Sequence, residues 1–172
     1  MRGRWRSRDC WPKAGRYPCT SLKFALVFSD AIPDMKKPEV IDLNESIRRT
    51  AELAQNQIRP SQVQLDLKLS SKSPRVLATP AELSQALLNV VQNAIDAIAG
   101  AGSGTVRITS AVIRNHVVVS IIDDAPTKET DARQGLGISR SIFRKIGGDM
   151  WMSCAESCGT TFIIELPSAS LN

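Results

Sequence analysis

The sequence predicts an α/β fold of the α+β kind, a two-layer sandwich in which helices cover one face of a mixed, mostly antiparallel sheet. Three observations carry that expectation. Residues 80–99 hold one long apolar stripe, with Leu83, Leu87, Val90, Val91, Ala94, Ile95 and Ile98 recurring at the helix period. Residues 105–113 and 116–122 are two runs rich in β-branched residues joined by Arg114-Asn115, the pattern of a hairpin. A further helix followed by two strands closes the chain between Gly137 and Leu166. With 172 residues, 42% hydrophobic and 23% charged, the chain suffices for one domain with its own core and a modest appendage.

The elements follow in chain order. Residues 1–38 are expected to be a basic irregular segment, because Pro12, Gly15, Pro18, Pro33 and Pro38 interrupt any regular structure. The folded domain is expected to span 39–172. A helix begins at Asp42 or Asn44 as cap and carries Leu43, Ile47, Ala51, Leu53, Ala54 and Ile58 until Pro60 stops it. Val63, Leu65, Leu67 and Leu69 alternate with polar residues at the period of a half-buried strand. Thr79-Pro80 supplies a cap and a first-turn proline for the long helix, and Gly100, Gly102 and Gly104 end it. After the hairpin, a polar loop from Asp123 to Gln134 leads through Gly135-Leu136-Gly137 into a helix that stops near Gly147-Gly148. Strands over 150–154 and 160–166 follow.

Composition excludes several functions. The net charge of +5 sits largely at the start, where Arg2, Arg4, Arg6, Arg8, Lys13, Arg16 and Lys23 face only Asp9. A basic arm without an accompanying recognition motif is a solvated tail, so no nucleic-acid partner is expected. The apolar run Phe24 to Phe28 falls far short of the ~20 residues of a membrane helix, and no cleavage pattern follows the basic residues. No membrane segment and a cytoplasmic location are therefore expected. Cys10, Cys19, Cys154 and Cys158 lack the paired spacing of a zinc site and read as free thiols.

One polar strip stands out on the long helix. Asn89, Asn93 and Asp96 are four and three residues apart and share a face. Asparagine carbonyl oxygens are hard ligands that suit Mg²⁺ together with nucleotide phosphates, although a strip of this kind is also ordinary exposed surface. Asp123 ends an apolar strand, placed to accept a hydrogen bond from an exocyclic amine such as that of adenine; its other reading is a turn residue before Pro126. Gly135 and Gly137 stand where a loop becomes a helix, so backbone N–H groups and the positive helix end can approach an anion, or the glycines give only a flexible helix start.

Four segments in order and spacing then resemble one family. Thr79 to Leu83 with Asn89-Val-Val-Gln-Asn93-Ala-Ile-Asp96-Ala97 looks like the N box of histidine-kinase ATPase domains. Asp123-Asp124-Ala125-Pro126 resembles their first glycine box, Gly135-Leu136-Gly137-Ile138 their second, and Gly159-Thr160-Thr161-Phe162 the closing motif. The resemblance covers about Glu39 to Pro167, including an Asp42-Leu43-Asn44-Glu45 segment similar to the one that joins dimerisation helices to the catalytic domain. It implies the Bergerat ATP-binding fold of the GHKL superfamily, binding ATP and Mg²⁺, and the activity of a two-component sensor histidine kinase. Carried over, Asn93 is the Mg²⁺ ligand and Asn89 a phosphate or metal-shell contact, the two catalytic positions. Asp123 is the adenine acceptor, Asp96 supports the pocket, and Ala125, Gly135, Leu136, Gly137 and Thr161 are binding positions. The hydrolases of the superfamily carry a glutamate one turn before the metal asparagine; Asn89 stands there, which favours transfer over hydrolysis.

The pattern departs from the family in three places. Ala125 and Thr127 replace the two glycines of the first glycine box. Only eleven residues separate Asp123 from Gly135, with no phenylalanine box and with Arg133 in place of a glycine, so Arg133 or Lys128 is a candidate to reach the γ-phosphate. No histidine precedes His116, which lies in a predicted strand and reads as structural, while Leu22 to Asp30 resembles the tail of a dimerisation helix. The phospho-accepting histidine is therefore expected on a dimerisation or phosphotransfer domain not present in this sequence, with a response regulator as further partner. The alternatives are a nucleotide-binding or interaction module without turnover, and an anti-sigma-type serine kinase.

Overall fold

The computed structural model describes residues 37–56, 63–126, 136–155 and 159–169. All of them lie on the C-terminal side of a division of the chain between Lys36 and Lys37. The expectations for the basic segment, for Leu22 to Asp30, for Ile58 and Pro60, and for Thr127, Lys128, Arg133 and Gly135 fall outside the described residues.

The elements run β1 (Glu39–Asp42), α1 (Leu43–Gln55), β2 (Val63–Lys68), β3 (Arg75–Ala78), α2 (Pro80–Ala101), β4 (Gly104–Ile113), β5 (His116–Asp123), α3 (Leu136–Lys145), β6 (Asp149–Ala155) and β7 (Gly159–Pro167). Five strands form one sheet in the order β2-β4-β5-β7-β6. β2 runs parallel to β4, and every other pairing is antiparallel. One face of this sheet is apolar and closed: Val106, Ile108, Val117, Val119, Ile121, Met150, Phe162, Ile164 and Leu166 alternate into it and are buried. The helices supply the other layer, with α2 packed on β4 and β5 and flanked by α1 and α3. The α/β sandwich expected from the pattern is the observed architecture.

Local chemistry sets the helix ends. Asp42 caps α1, its Oδ1 accepting from the Glu45 N–H at 3.2 Å. α2 starts at Pro80, whose missing N–H costs nothing in the first turn, and stops at Gly102 with φ 113°, a conformation that glycine adopts without strain. A buried polar link fastens α1 to the sheet: Ser110 Oγ donates to Asn44 Oδ1 at 2.7 Å, and Asn44 Nδ2 donates to the Ser70 carbonyl at 2.9 Å. Because each of these polar atoms has a partner, burying them carries little penalty.

Two features depart from the sequence expectation. α1 ends at Gln55 with Asn56 as its cap, short of Pro60. β1 and β3 pair antiparallel as a separate two-stranded ribbon, Glu39 opposite Ala78 and Asp42 opposite Arg75. Each strand has four residues, too few to show a period, and its partner lies far along the chain.

Candidate functional site

The site begins at the end of β5. Asp123 is 1% exposed, an unusual position for a carboxylate. Its Oδ1 accepts from the backbone N–H groups of Ala125 and Thr160, each at 3.2 Å. Its Oδ2 is buried and meets no partner among the described residues. Burial pushes the carboxyl above its ordinary pKa, the Thr160 and Ala125 N–H groups pull it back, and neighbouring Asp124 adds to the rise. An orphaned buried acceptor costs about 1–3 kcal/mol, and a donor from a ligand removes that cost.

Two close backbone approaches hold this acceptor. Gly159 has φ 81°, and a Cβ there would lie 1.9 Å from the Asp123 carbonyl oxygen, so only glycine lets the start of β7 press against the end of β5. Beside it, Asp124 Oδ1 accepts from Thr105 N–H at 2.8 Å. A Cβ on Gly104 would meet both Asp124 and Ile98, which puts the end of β5 next to the last turns of α2.

α2 contributes the polar strip. Asn89 and Asn93 are partly buried and Asp96 is exposed. Gln92, which the sequence expectation passed over, belongs to the same strip: its Nε2 donates to Asp96 Oδ1 at 2.8 Å. Gln92 Oε1 and Asn93 Nδ2 are buried without partners among the described residues, like Asp123 Oδ2. Buried polar atoms are nearly always paired, so these three on α2 and the end of β5 are candidate contacts for a ligand. Adenine, whose amine donates to an acceptor such as Asp123 Oδ2, fits there, and amide carbonyls on α2 suit Mg²⁺ carried on phosphates. Among the described residues no group of three or more His, Cys, Asp and Glu gathers as a metal cluster.

α3 borders the strip and is firmly held. Asn89 Nδ2 donates to Ser139 Oγ at 2.8 Å, and Ser139 is 1% exposed. Asp149 at the start of β6 accepts from Arg140 at 2.8 and 3.1 Å and from Arg144 at 3.1 and 3.2 Å. The Arg140 hydrogen bond, opposed by partial burial and reinforced by Arg144, holds the Asp149 carboxyl far below the usual carboxylate range. Lys145 reaches across to Glu82 on the first turn of α2.

The remaining predicted positions sort differently. Ala125 is buried and supplies an N–H to Asp123. Gly137 is exposed in the first turn of α3, with open space where a Cβ would stand. Leu136 is fully buried in the core, so its side chain seals the hydrophobic layer instead of lining the site. Thr161 lies apart from the others. It sits opposite Ile122 and Ser153 on the face of the sheet away from the core, whereas Thr160, 2% exposed, bonds Asp123 through its N–H. The strand period was the available signal: Phe162, Ile164 and Leu166 point into the core, so Thr160 shares their side and Thr161 does not.

Comparison with known proteins agrees with the fold. Residues 78–170 match the family model described as histidine kinase-, DNA gyrase B- and HSP90-like ATPase. Sporulation kinase E of Bacillus subtilis is 29% identical over 154 residues, covering 77% of this chain and 21% of that protein. Sensor protein FixL of Bradyrhizobium diazoefficiens is 29% identical over 150 residues, covering 77% of this chain and 30% of that one. The chain thus spans a third or less of the length of these relatives. Among solved structures, the catalytic domain of histidine kinase ThkA superposes with a TM-score of 0.66 at 30% identity, covering 77% of this chain and 98% of that domain. ThkA in complex with the response regulator TrrA gives a TM-score of 0.65 at 29% identity, covering 77% of this chain and 42% of that one.

Proposed function

The chain belongs to the histidine kinase-, DNA gyrase B- and HSP90-like ATPase family, and from that premise we propose that it binds Mg-ATP between Asp123 and the α2 strip and donates the γ-phosphoryl group to a histidine. Its folded unit is an ATP-binding catalytic domain of the sensor histidine kinase type. The observation that carries the proposal is the buried Asp123 Oδ2, without a partner among the described residues, on a carboxylate held in place by two backbone N–H groups. Asp123 Oδ2 accepts from the adenine amine, which requires the ionised carboxylate. Gln92 and Asn93 present further buried polar atoms to the nucleotide. Asn93 holds Mg²⁺ and Asn89 contacts the metal shell or a phosphate; when bound, the ion neutralises charge on the phosphoryl oxygens.

The outcome is transfer because of what α2 lacks. Position 89 carries an amide, which cannot take a proton from water, so no general base stands one turn before Asn93. Glu82 lies two turns further back and is paired with Lys145. The acceptor histidine belongs to a dimerisation or phosphotransfer domain, from which the phosphoryl passes to a response regulator in the cytoplasm. Among the described residues no helix is long and apolar enough to cross a membrane.

Calorimetry of ATP with and without Mg²⁺, with Asp123→Asn and Asn93→Ala beside the natural sequence, tests the site. Loss of binding in both variants is the expected result, and intact binding in both overturns it. Radiolabel transfer from ATP to a supplied histidine phosphotransfer domain tests the reaction. Binding without transfer selects a nucleotide-binding module, and label on a partner's serine selects a serine kinase.

A further inference from the structure

Resting on the assignment of Mg²⁺ to Asn93, we infer that Gln92 is a further metal-shell residue: its carbonyl oxygen accepts a hydrogen from a water that the nucleotide's cation carries. Gln92 Nε2 donates to Asp96 Oδ1 at 2.8 Å. A carboxylate oxygen only accepts, so this contact identifies the nitrogen side of the Gln92 amide and leaves Oε1 on the other side as an acceptor. That oxygen is buried and has no partner among the described residues. An acceptor left in this way beside Asn93 calls for a donor.

Mg-ATP brings few donors. Its phosphate oxygens accept, and its adenine amine goes to Asp123 in the proposed site. The ribose hydroxyls remain, together with the waters that Mg²⁺ keeps when it is held on phosphates. Position along α2 separates the two. A Cβ on Gly104 would meet both Asp124 and Ile98, so the end of β5, with Asp123 and the base it takes, is level with the last turns of α2. Gln92 stands six residues before Ile98, ~9 Å back along the helix axis. The ribose joins base to phosphates and so belongs on the Ile98 side of the metal, whereas Gln92 is level with Asn89 and Asn93. A water on a divalent cation is polarised and donates strongly, and an outer-shell acceptor that orients it raises metal affinity.

The test is calorimetry of ATP with and without Mg²⁺ on the full chain carrying Gln92→Met or Gln92→Glu. Methionine keeps the unbranched length and the helix preference while removing both polar atoms. Glutamate keeps an acceptor and removes the donor to Asp96. Gln92→Met is expected to weaken Mg-ATP binding about tenfold, the low end for an outer-shell partner, and to leave metal-free ATP binding unchanged. Gln92→Glu is expected to retain Mg-ATP binding. A loss in Gln92→Glu equal to that in Gln92→Met means that the Asp96 contact matters and the oxygen does not, which overturns the inference, as does unchanged Mg-ATP affinity in Gln92→Met. An equal loss with and without Mg²⁺ also overturns it, and disappearance of that loss with 2′,3′-dideoxy-ATP would assign the oxygen to a ribose hydroxyl. If the natural protein binds ATP equally well with and without Mg²⁺, the assignment of Asn93 fails and the inference falls with it, a result visible before any substitution is made.

Discussion

At the scale of single residues, the site pits function against stability. Asp123 is ionised only at a cost, since burial raises its pKa in the folded chain above the unfolded value. The sign follows: the folded state holds the proton more tightly, so the group's contribution to stability falls as pH rises through the raised pKa. Asp123→Asn keeps an oxygen for the Ala125 and Thr160 N–H groups while removing the buried charge. A thermal melt of the nucleotide-free variant is expected to show a higher Tm than the natural protein, together with loss of ATP binding. Lowering the pH through the raised pKa is expected to weaken ATP binding by the natural protein, because the protonated oxygen no longer accepts from the adenine amine. Gly137 offers a separate test. With open space at its Cβ position and a place in the first turn of α3, Gly137→Ala is expected to leave the Tm unchanged or raise it, by up to about 1 kcal/mol of stability. Calorimetry is expected to show weaker ATP binding if phosphate packs against that backbone; unchanged affinity removes Gly137 from the site.

At the scale of elements, two junctions decide whether the site exists. The start of β7 lies against the end of β5 only because residue 159 is glycine, at φ 81° and with the Asp123 carbonyl where a Cβ would stand. Gly159→Ala is therefore expected to cost more than about 1 kcal/mol in denaturant unfolding and to abolish ATP binding by moving Thr160 away from Asp123. The second junction is Asp149 between Arg140 and Arg144. Its depressed pKa contributes stability above the unfolded carboxylate value near 3.9, and that contribution is lost as pH falls toward the folded value. Asp149→Asn is expected to destabilise the protein by roughly 1–3 kcal/mol at neutral pH. Urea titrations at falling pH are expected to show the gap between variant and natural protein closing below about pH 4; a constant gap would sink the assignment.

At the scale of the whole molecule, a ligand that satisfies the three buried polar atoms left without partners among the described residues is expected to stabilise the fold. At a concentration about a hundredfold above its Kd, Mg-ATP is expected to add about 2.7 kcal/mol and to raise the Tm by roughly 5–10 °C. No shift with ATP at millimolar concentration would remove the nucleotide from the proposed function. The helix and hairpin that build the site were legible in the sequence for a physical reason. α2 and the β4–β5 pair are long enough for their periods of 3.6 and 2 to emerge, and the polar strip is visible because it interrupts an otherwise apolar helix. The same strand period separates Thr160 from Thr161, a distinction the resemblance to family motifs did not make. By itself, then, the sequence determined the layered fold and the family, and it marked Asn89, Asn93 and Asp123 as candidate site residues. Only the tertiary structure decided that Gly159 and Thr160 hold Asp123, that Ser139 meets Asn89 and that β1 pairs with β3. Those contacts join residues dozens of positions apart or lie in strands of four residues, and no local pattern records a contact that closes only when distant segments pack.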